Sequence, residues 1–96
     1  MVTITIAREQ ISARGHAADA AGCAAVSAVL YALAGGLMNL GCRTHWEIHS
    51  GYADIVIPAL PEACPMQLMA EVGLRQIAQG RTDIRVLPET TAGASL

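Results

Sequence analysis

The first residues of the chain alternate between apolar and polar side chains, which is the pattern of a β-strand. In VTITIAR, residues 2–8, Val2, Ile4 and Ile6 share one face and the threonines share the other. The stretch ISARGHA, residues 11–17, follows a short turn at Glu9 and Gln10 and predicts a returning strand. The chain is therefore expected to open with a β-hairpin.

From Gly22 onward the pattern changes to a helical period. Apolar residues recur at steps of four and three, a stripe formed by Val26, Leu30, Leu33, Leu37 and Leu40. Gly22 is predicted as the N-cap of this helix and Gly41 as its C-terminal stop. A row of alanines elsewhere on the helix is expected to permit close approach of another element: Ala24, Ala28 and Ala32.

The second half of the chain repeats the order of two strands and a helix. Residues 43–50 and 52–59 predict two strands joined by a turn at Ser50 and Gly51. A helix over about 65–79 follows, and a short strand at 83–87 comes last. The buried side of this helix is expected from Met66, Met69, Ala70, Leu74 and Ile77.

The predicted order of elements is β-β-α-β-β-α-β. It indicates an α+β fold with a mostly antiparallel sheet and two helices on one face. With 96 residues, the chain has room for one domain, which we assign to residues 1–87. The remaining residues, 88–96, are expected to form a disordered tail.

Charge and hydropathy limit the partners that this domain can have. The net charge is −2, and the six basic residues are scattered arginines, so no direct nucleic-acid binding is expected. The uncharged stretch between Asp19 and Arg43 is long enough to span a bilayer. Alanine and glycine dominate it and no aromatic belt flanks it, which argues against a membrane span.

The cysteines and histidines give no pattern of a disulfide or metal site. Three cysteines without a CxxC pair argue against a disulfide framework and a structural zinc. They favour reduced thiols and a cytoplasmic location, and the N-terminus lacks the features of a signal peptide. His45 and His49 would lie about 13 Å apart on a strand, too far to share one ion. No metal or other cofactor is expected.

One segment carries candidate chemistry: GHAADAAGCAAVS, residues 15–27. Cys23 falls in the predicted first turn of the helix, where the helix dipole favours a thiolate and backbone amides can hold an oxyanion. His16 lies across a short loop and could serve as its base, with Asp19 able to orient the imidazole. The alternative is two packed side chains, because free cysteines are among the most buried residues.

GHA followed by CAAVS at the head of an apolar helix resembles the ribosomal-processing cysteine proteases, the Prp family. GLRQIA in the last helix and the short final strand support the resemblance. It implies a catalytic base at His16, a nucleophile at Cys23 and a serine, Ser27, that lines the site or packs locally. It also implies a homodimer that removes the N-terminal extension of a large-subunit ribosomal protein, or cuts a phage structural protein.

The chain is a short-loop variant of that family pattern. Residues 17–22 form a connecting loop of six residues, and Ala20 stands where family members usually have an aspartate three positions before the cysteine. The usual DIVC is AAGC here. Two functions are therefore open from the sequence: a cysteine endopeptidase that acts on a specific protein, and a catalytically inactive dimeric binding module on the same fold.

Overall fold

The chain folds into a five-stranded sheet covered by two helices, in a computed structural model that describes residues 1–89. The elements are β1 (Val2–Ile6), β2 (Gln10–Gly15), α1 (Ala20–Asn39), β3 (Trp46–His49), β4 (Tyr52–Val56), α2 (Ala63–Ala78) and β5 (Ile84–Leu87). The strand order is β3-β4-β2-β1-β5, with β1 and β5 parallel and the other neighbouring pairs antiparallel. The predicted fold class and element order are confirmed.

The alternation of side chains along the strands sets which face of the sheet is buried. Ile4, Ile11 and Ile55 have no exposed area and contribute to the same core as Leu37 of α1 and Leu74 of α2. The residues between them along each strand face away from this core, so the helices cover one face and the other stays polar.

The first helix begins earlier than the sequence pattern predicts. Its N-cap is Asp19, not Gly22, because the Asp19 carboxylate accepts the Gly22 amide at 2.7 Å, which a glycine cap cannot do. Cys23 is consequently the fourth residue of α1. The predicted stop at Gly41 is confirmed: Gly41 has φ +77°, and the amides of Gly41 and Cys42 bond to the carbonyls of Met38 and Leu37. This is a Schellman motif.

Two predictions about the faces of α1 are wrong. Leu40 lies past the last helical turn and is 49% exposed, unlike the buried leucines before it. The row Ala24, Ala28 and Ala32 is exposed rather than packed. Close approach of the helices occurs instead at Gly36, where a Cβ would collide with Cε of Met66.

The second helix also differs from its predicted limits and buried side. It begins at Ala63, so Cys64 and Pro65 both lie in its first turn. Met69 is 76% exposed, whereas Ala70 and Leu74 carry the buried side as predicted. A polar side chain of this helix also contacts the sheet: the Gln67 amide donates to the Ala7 carbonyl of the β1–β2 turn at 2.8 Å.

By length and composition alone, α1 is able to cross a membrane. In this fold it is a core helix: Val26, Leu30, Leu33, Ala34 and Leu37 are buried by the rest of the chain. The predicted tail lies outside the described residues from residue 90 onward. Its first two residues are described: Pro88 accepts a hydrogen bond from Arg75, and Glu89 pairs with Arg85.

An ion-pair network joins the loop before α1 to the segment between α2 and β5. Arg81 donates to both oxygens of Asp83 at 2.9 Å and to Asp19 at 3.0 Å. Asp83 also accepts the Ala18 amide at 2.7 Å. The Arg81 guanidinium, helped by that amide, holds the pKa of Asp83 well below its usual range. The Gly22 amide and Arg81 lower the pKa of Asp19.

We expect the buried leucine stripe of α1 to carry much of the stability. Leu37→Ala should lower the free energy of unfolding by about 2–5 kcal/mol, because Leu37 is fully buried and its removal leaves a cavity. Leu40→Ala is the matched control and should change it by less than about 0.5 kcal/mol. Urea denaturation measures both. Equal losses in the two variants would contradict the packing described here.

Acid should weaken the fold through Asp19 and Asp83. Both carboxyls have lowered pKa values in the folded chain, so their stabilisation is fully present above the ordinary value of 3.8 and is lost as the pH falls below it. The free energy of unfolding, measured by urea titration between pH 6 and pH 2.5, should fall in acid. The fall should be shallower for Asp83→Asn, and an unchanged slope in that variant would contradict the assignment.

Candidate active site

His16 and Cys23 line the same pocket. It has a volume of about 180 Å³ and lies between the end of β2, the first turns of α1 and the β3–β4 turn. Its lining includes Ser27, Leu30, His49, Gly51 and Tyr52. A larger open groove of about 380 Å³ lies at the other end of the sheet, beside Cys64, but its lining contains no histidine. The smaller pocket therefore combines a thiol and imidazole groups in its lining.

Two glycines with positive φ place His16. Gly15 ends β2 with φ +101°, and a Cβ there would collide with the carbonyl oxygen of Met1. The Gly15 amide donates to the Gly51 carbonyl at 2.9 Å, which ties the end of β2 to the β3–β4 turn. Gly51 has φ +73°, and a Cβ on it would lie 2.7 Å from Nε2 of His16. The imidazole thus packs directly against the turn.

Cys23 is partly exposed at the pocket, and its sulfur has one backbone partner. The Ala17 amide donates to Sγ of Cys23 at 3.3 Å. The sequence suggested backbone amides of the first helical turn as oxyanion donors, but two of these amides, those of Gly22 and Cys23, are already bonded to the carboxylate and the carbonyl of Asp19. The donor at the sulfur therefore comes from the loop, and the helix-start pattern alone did not identify it.

The imidazole and the thiol meet in one pocket without a direct bond. No hydrogen bond joins His16 to Cys23, both of which lie within the described residues. Catalytic hydrogen bonds are often long in the absence of substrate and shorten when the substrate binds. The missing bond is therefore compatible with the pairing of nucleophile and base that the sequence predicts.

The two accessory residues have different positions. Ser27 lines the pocket one helical turn after Cys23, as expected for a residue on the same face of α1. Asp19 does not orient the imidazole: its carboxylate bonds to the Gly22 amide and to Arg81. As the N-cap of α1 it fixes the start of the helix that carries Cys23.

The β3–β4 hairpin contributes two ring side chains to the pocket, which the sequence did not identify as site residues. His49 and Tyr52 line the pocket, and their rings lie 5.9 Å apart. Tyr52 donates to Asp54 at 2.5 Å, and this bond raises the pKa of Tyr52. Arg14 stacks over the Tyr52 ring at 3.9 Å.

His45 and His49, which strand spacing separates too far to share an ion, lie on an exposed face. Each approaches Glu47, at 3.7 and 3.2 Å. Pairing of β4 with β2, which brings the predicted β3–β4 hairpin beside His16, was not readable from the local pattern. Across residues 1–89, no group of three or more histidines, cysteines or acidic residues is arranged to hold a metal ion.

Comparisons with known proteins relate the chain to others through its fold. The chain matches no protein-family model, and no curated protein is a significant match. Among solved structures, it resembles the essential ribosomal processing protease Prp from S. aureus in complex with a covalently linked product peptide. The TM-score is 0.69 at 25% identity, over 88% of this chain and 94% of that one.

Two further structures agree with this relationship. A complex of S. aureus Prp with a substrate peptide gives a TM-score of 0.70 at 22% identity, over 90% of this chain and 97% of that one. A protein from Streptococcus mutans gives 0.62 at 21% identity, over 88% and 94% of the two chains. The chain therefore has the fold of the Prp ribosomal processing proteases, which confirms the resemblance that GHA and CAAVS predict.

Proposed function

We propose that the protein is a cysteine endopeptidase in which Cys23 is the nucleophile and His16 the base. The observation that carries the proposal is the shared pocket: the sulfur, with the Ala17 amide at 3.3 Å, faces the same cavity as the imidazole. The fold adds support, because Prp is a protease and its structures hold product and substrate peptides.

The proposed reaction runs through an acyl-enzyme. His16 takes the proton of the Cys23 thiol, and the thiolate attacks the carbonyl carbon of the scissile peptide bond. The imidazolium then protonates the leaving amine, which departs as the new N-terminus of one product. A water molecule, deprotonated by His16, attacks the thioester and releases the other product as a carboxylate, with the thiol restored. No metal or cofactor takes part in these steps.

We propose a protein substrate for this pocket. The resemblance to Prp points to the N-terminal extension of a large-subunit ribosomal protein, with a phage structural protein as the other candidate. Cys23 and Ser27 of α1 line one part of the pocket, and His49 and Tyr52 of the β3–β4 hairpin line another. We therefore expect the peptide to lie between this helix and the hairpin.

A binding module without catalysis is the second candidate. It is favoured by the position of Asp19, which caps α1 and pairs with Arg81 instead of supporting the imidazole. The pocket would then hold a peptide without cutting it. The homodimer and the cytoplasmic location implied by the sequence are shared by both functions and stay predictions.

The reactivity of the three thiols separates these functions without any knowledge of the substrate. Under the protease proposal, Cys23 should react with iodoacetamide at pH 6–7 faster than the more exposed Cys64. Peptide mapping by mass spectrometry after timed labelling gives the rate for each cysteine. The proposal fails here if Cys64 reacts as fast as Cys23 or faster.

Cleavage assays test the roles of the two residues directly. The protein is incubated with the N-terminally extended ribosomal protein and with products of neighbouring genes. Cys23→Ala should abolish cleavage, and His16→Ala should slow it by about 10²–10⁴-fold.

Two variants serve as controls for that assay. Cys64→Ala removes a thiol in the remote groove and should cleave at the wild-type rate. His49→Ala removes the other histidine of the pocket. If His16 is the base, this variant should lower the cleavage rate less than about tenfold, whereas loss of the base should lower it at least ~10²-fold. Cleavage that survives in Cys23→Ala would contradict the proposal.

A further inference from the structure

The Ala17 amide, which contacts the thiol, lies between two anchored points of the chain. On one side, the Gly15 amide is bonded to the Gly51 carbonyl at 2.9 Å. On the other side, the Ala18 amide is bonded to Oδ2 of Asp83 at 2.7 Å. Because the next residue, Ala18, is bonded to Asp83, the position of the Ala17 amide depends on that hydrogen bond.

Asp83 is itself held in place. Its carbonyl accepts the Val2 amide at 2.8 Å, which fixes its backbone beside β1 at the edge of the sheet. Its carboxylate receives two hydrogen bonds from Arg81, both at 2.9 Å, and only 18% of its side chain is exposed. A paired carboxylate in this geometry is a strong acceptor for the Ala18 amide.

Arg81 also covers the loop immediately before Cys23. A Cβ on Gly22 would lie 2.7 Å from the Arg81 guanidinium and 2.8 Å from Cβ of Ala17. The same guanidinium group bonds to Asp19, the N-cap of α1. One arginine thus contacts both the start of the helix and the residue that precedes the thiol.

We propose that Arg81 and Asp83 are positioning residues for Cys23, which hold residues 17–19 and the start of α1 so that the Ala17 amide stays on the sulfur. They touch neither the thiol nor the pocket, and they act through Ala18, Asp19 and Gly22. A hydrogen-bond donor at sulfur binds a thiolate more strongly than a thiol, so we expect that loss of this donor slows alkylation of Cys23. The catalytic consequence rests on the proposed function, whereas the effect on the thiol does not.

Arg81 and Asp83 explain how the connection between β2 and α1 keeps a defined shape. The predicted six-residue loop is shorter than expected, because residues 20–22 already belong to α1. Apart from Asp19, residues 17–22 are alanine and glycine, which offer no polar side chain as an anchor. The anchoring groups come instead from the segment between α2 and β5, more than sixty positions along the chain.

Asp83→Asn and Arg81→Gln test the proposal. The measurement is the rate of Cys23 alkylation by iodoacetamide from pH 5 to pH 10, relative to Cys64 in the same sample. At pH 7 each variant should lower the Cys23 rate about five- to tenfold, the size expected for weakening one hydrogen bond to a charged group. The pH of half-maximal rate should rise, while the plateau at high pH stays at the wild-type value.

Matched variants separate positioning from loss of structure. Arg81→Lys keeps the charge but lacks the forked donors for Asp83 and Asp19, so its profile should fall between wild type and Arg81→Gln. Arg85→Gln removes an arginine of β5 whose ion-pair partner among residues 1–89 is the exposed Glu89, and it should leave the Cys23 profile unchanged. Circular dichroism identifies variants that remain folded at the assay temperature, and the rates are taken from those.

Wild-type Cys23 profiles in both Asp83→Asn and Arg81→Gln would overturn the proposal. So would an equal change at all three cysteines, because that indicates general loosening of the fold. Alkylation needs no peptide, so the outcome is independent of cleavage. The Cys23 profile could shift in the variants while the wild-type protein cuts none of its candidate substrates. That result would overturn the proposed function and leave the positioning role intact.

Discussion

The hydrogen bond from the Ala18 amide to the Asp83 carboxylate is the constraint on which the candidate site depends. It joins the loop between β2 and α1 to the segment that leads into β5, and Arg81 completes the connection through Asp19. Without it, nothing in the loop's own side chains other than the Asp19 cap would fix where Ala17 and Cys23 lie relative to each other. A feature distant in sequence therefore sets the surroundings of the thiol.

The fold follows from local patterns that agree with one another. The alternation over residues 2–8, the leucine stripe of α1 and the turn at Gly51 each predicted the correct type of element, although β1 ends at Ile6. These patterns are readable because burial on one face imposes a period on the chain. Errors fell at helix ends and on exposed faces, as at Gly22, Leu40 and Met69. At such positions a single side-chain hydrogen bond or the end of the apolar stripe decides where the helix ends and which residue is buried. The hydrophobic period does not report on either.

The site was only partly predictable for a different reason. His16 and Cys23 lie close in sequence, so local reasoning could pair them, and Ser27 follows from one helical turn. Asp19 was found as a candidate, but its role required knowing that it caps α1 and meets Arg81. Pairing of β4 with β2 brings His49 and Tyr52 to the site. The α2–β5 connection brings Arg81 and Asp83 to the residues before α1. Tertiary contacts of this kind leave no local pattern in one sequence.

In the proposed reaction, Cys23 forms a covalent bond with the carbonyl carbon of its substrate during cleavage. Acid quenching of the wild-type protein and its substrate within the first turnover, followed by mass spectrometry, detects this bond. We expect an acyl adduct on the peptide that contains Cys23, with the mass of the N-terminal product less one water. Cleavage that proceeds with no adduct on Cys23, or with the adduct on another residue, would refute covalent catalysis by this thiol.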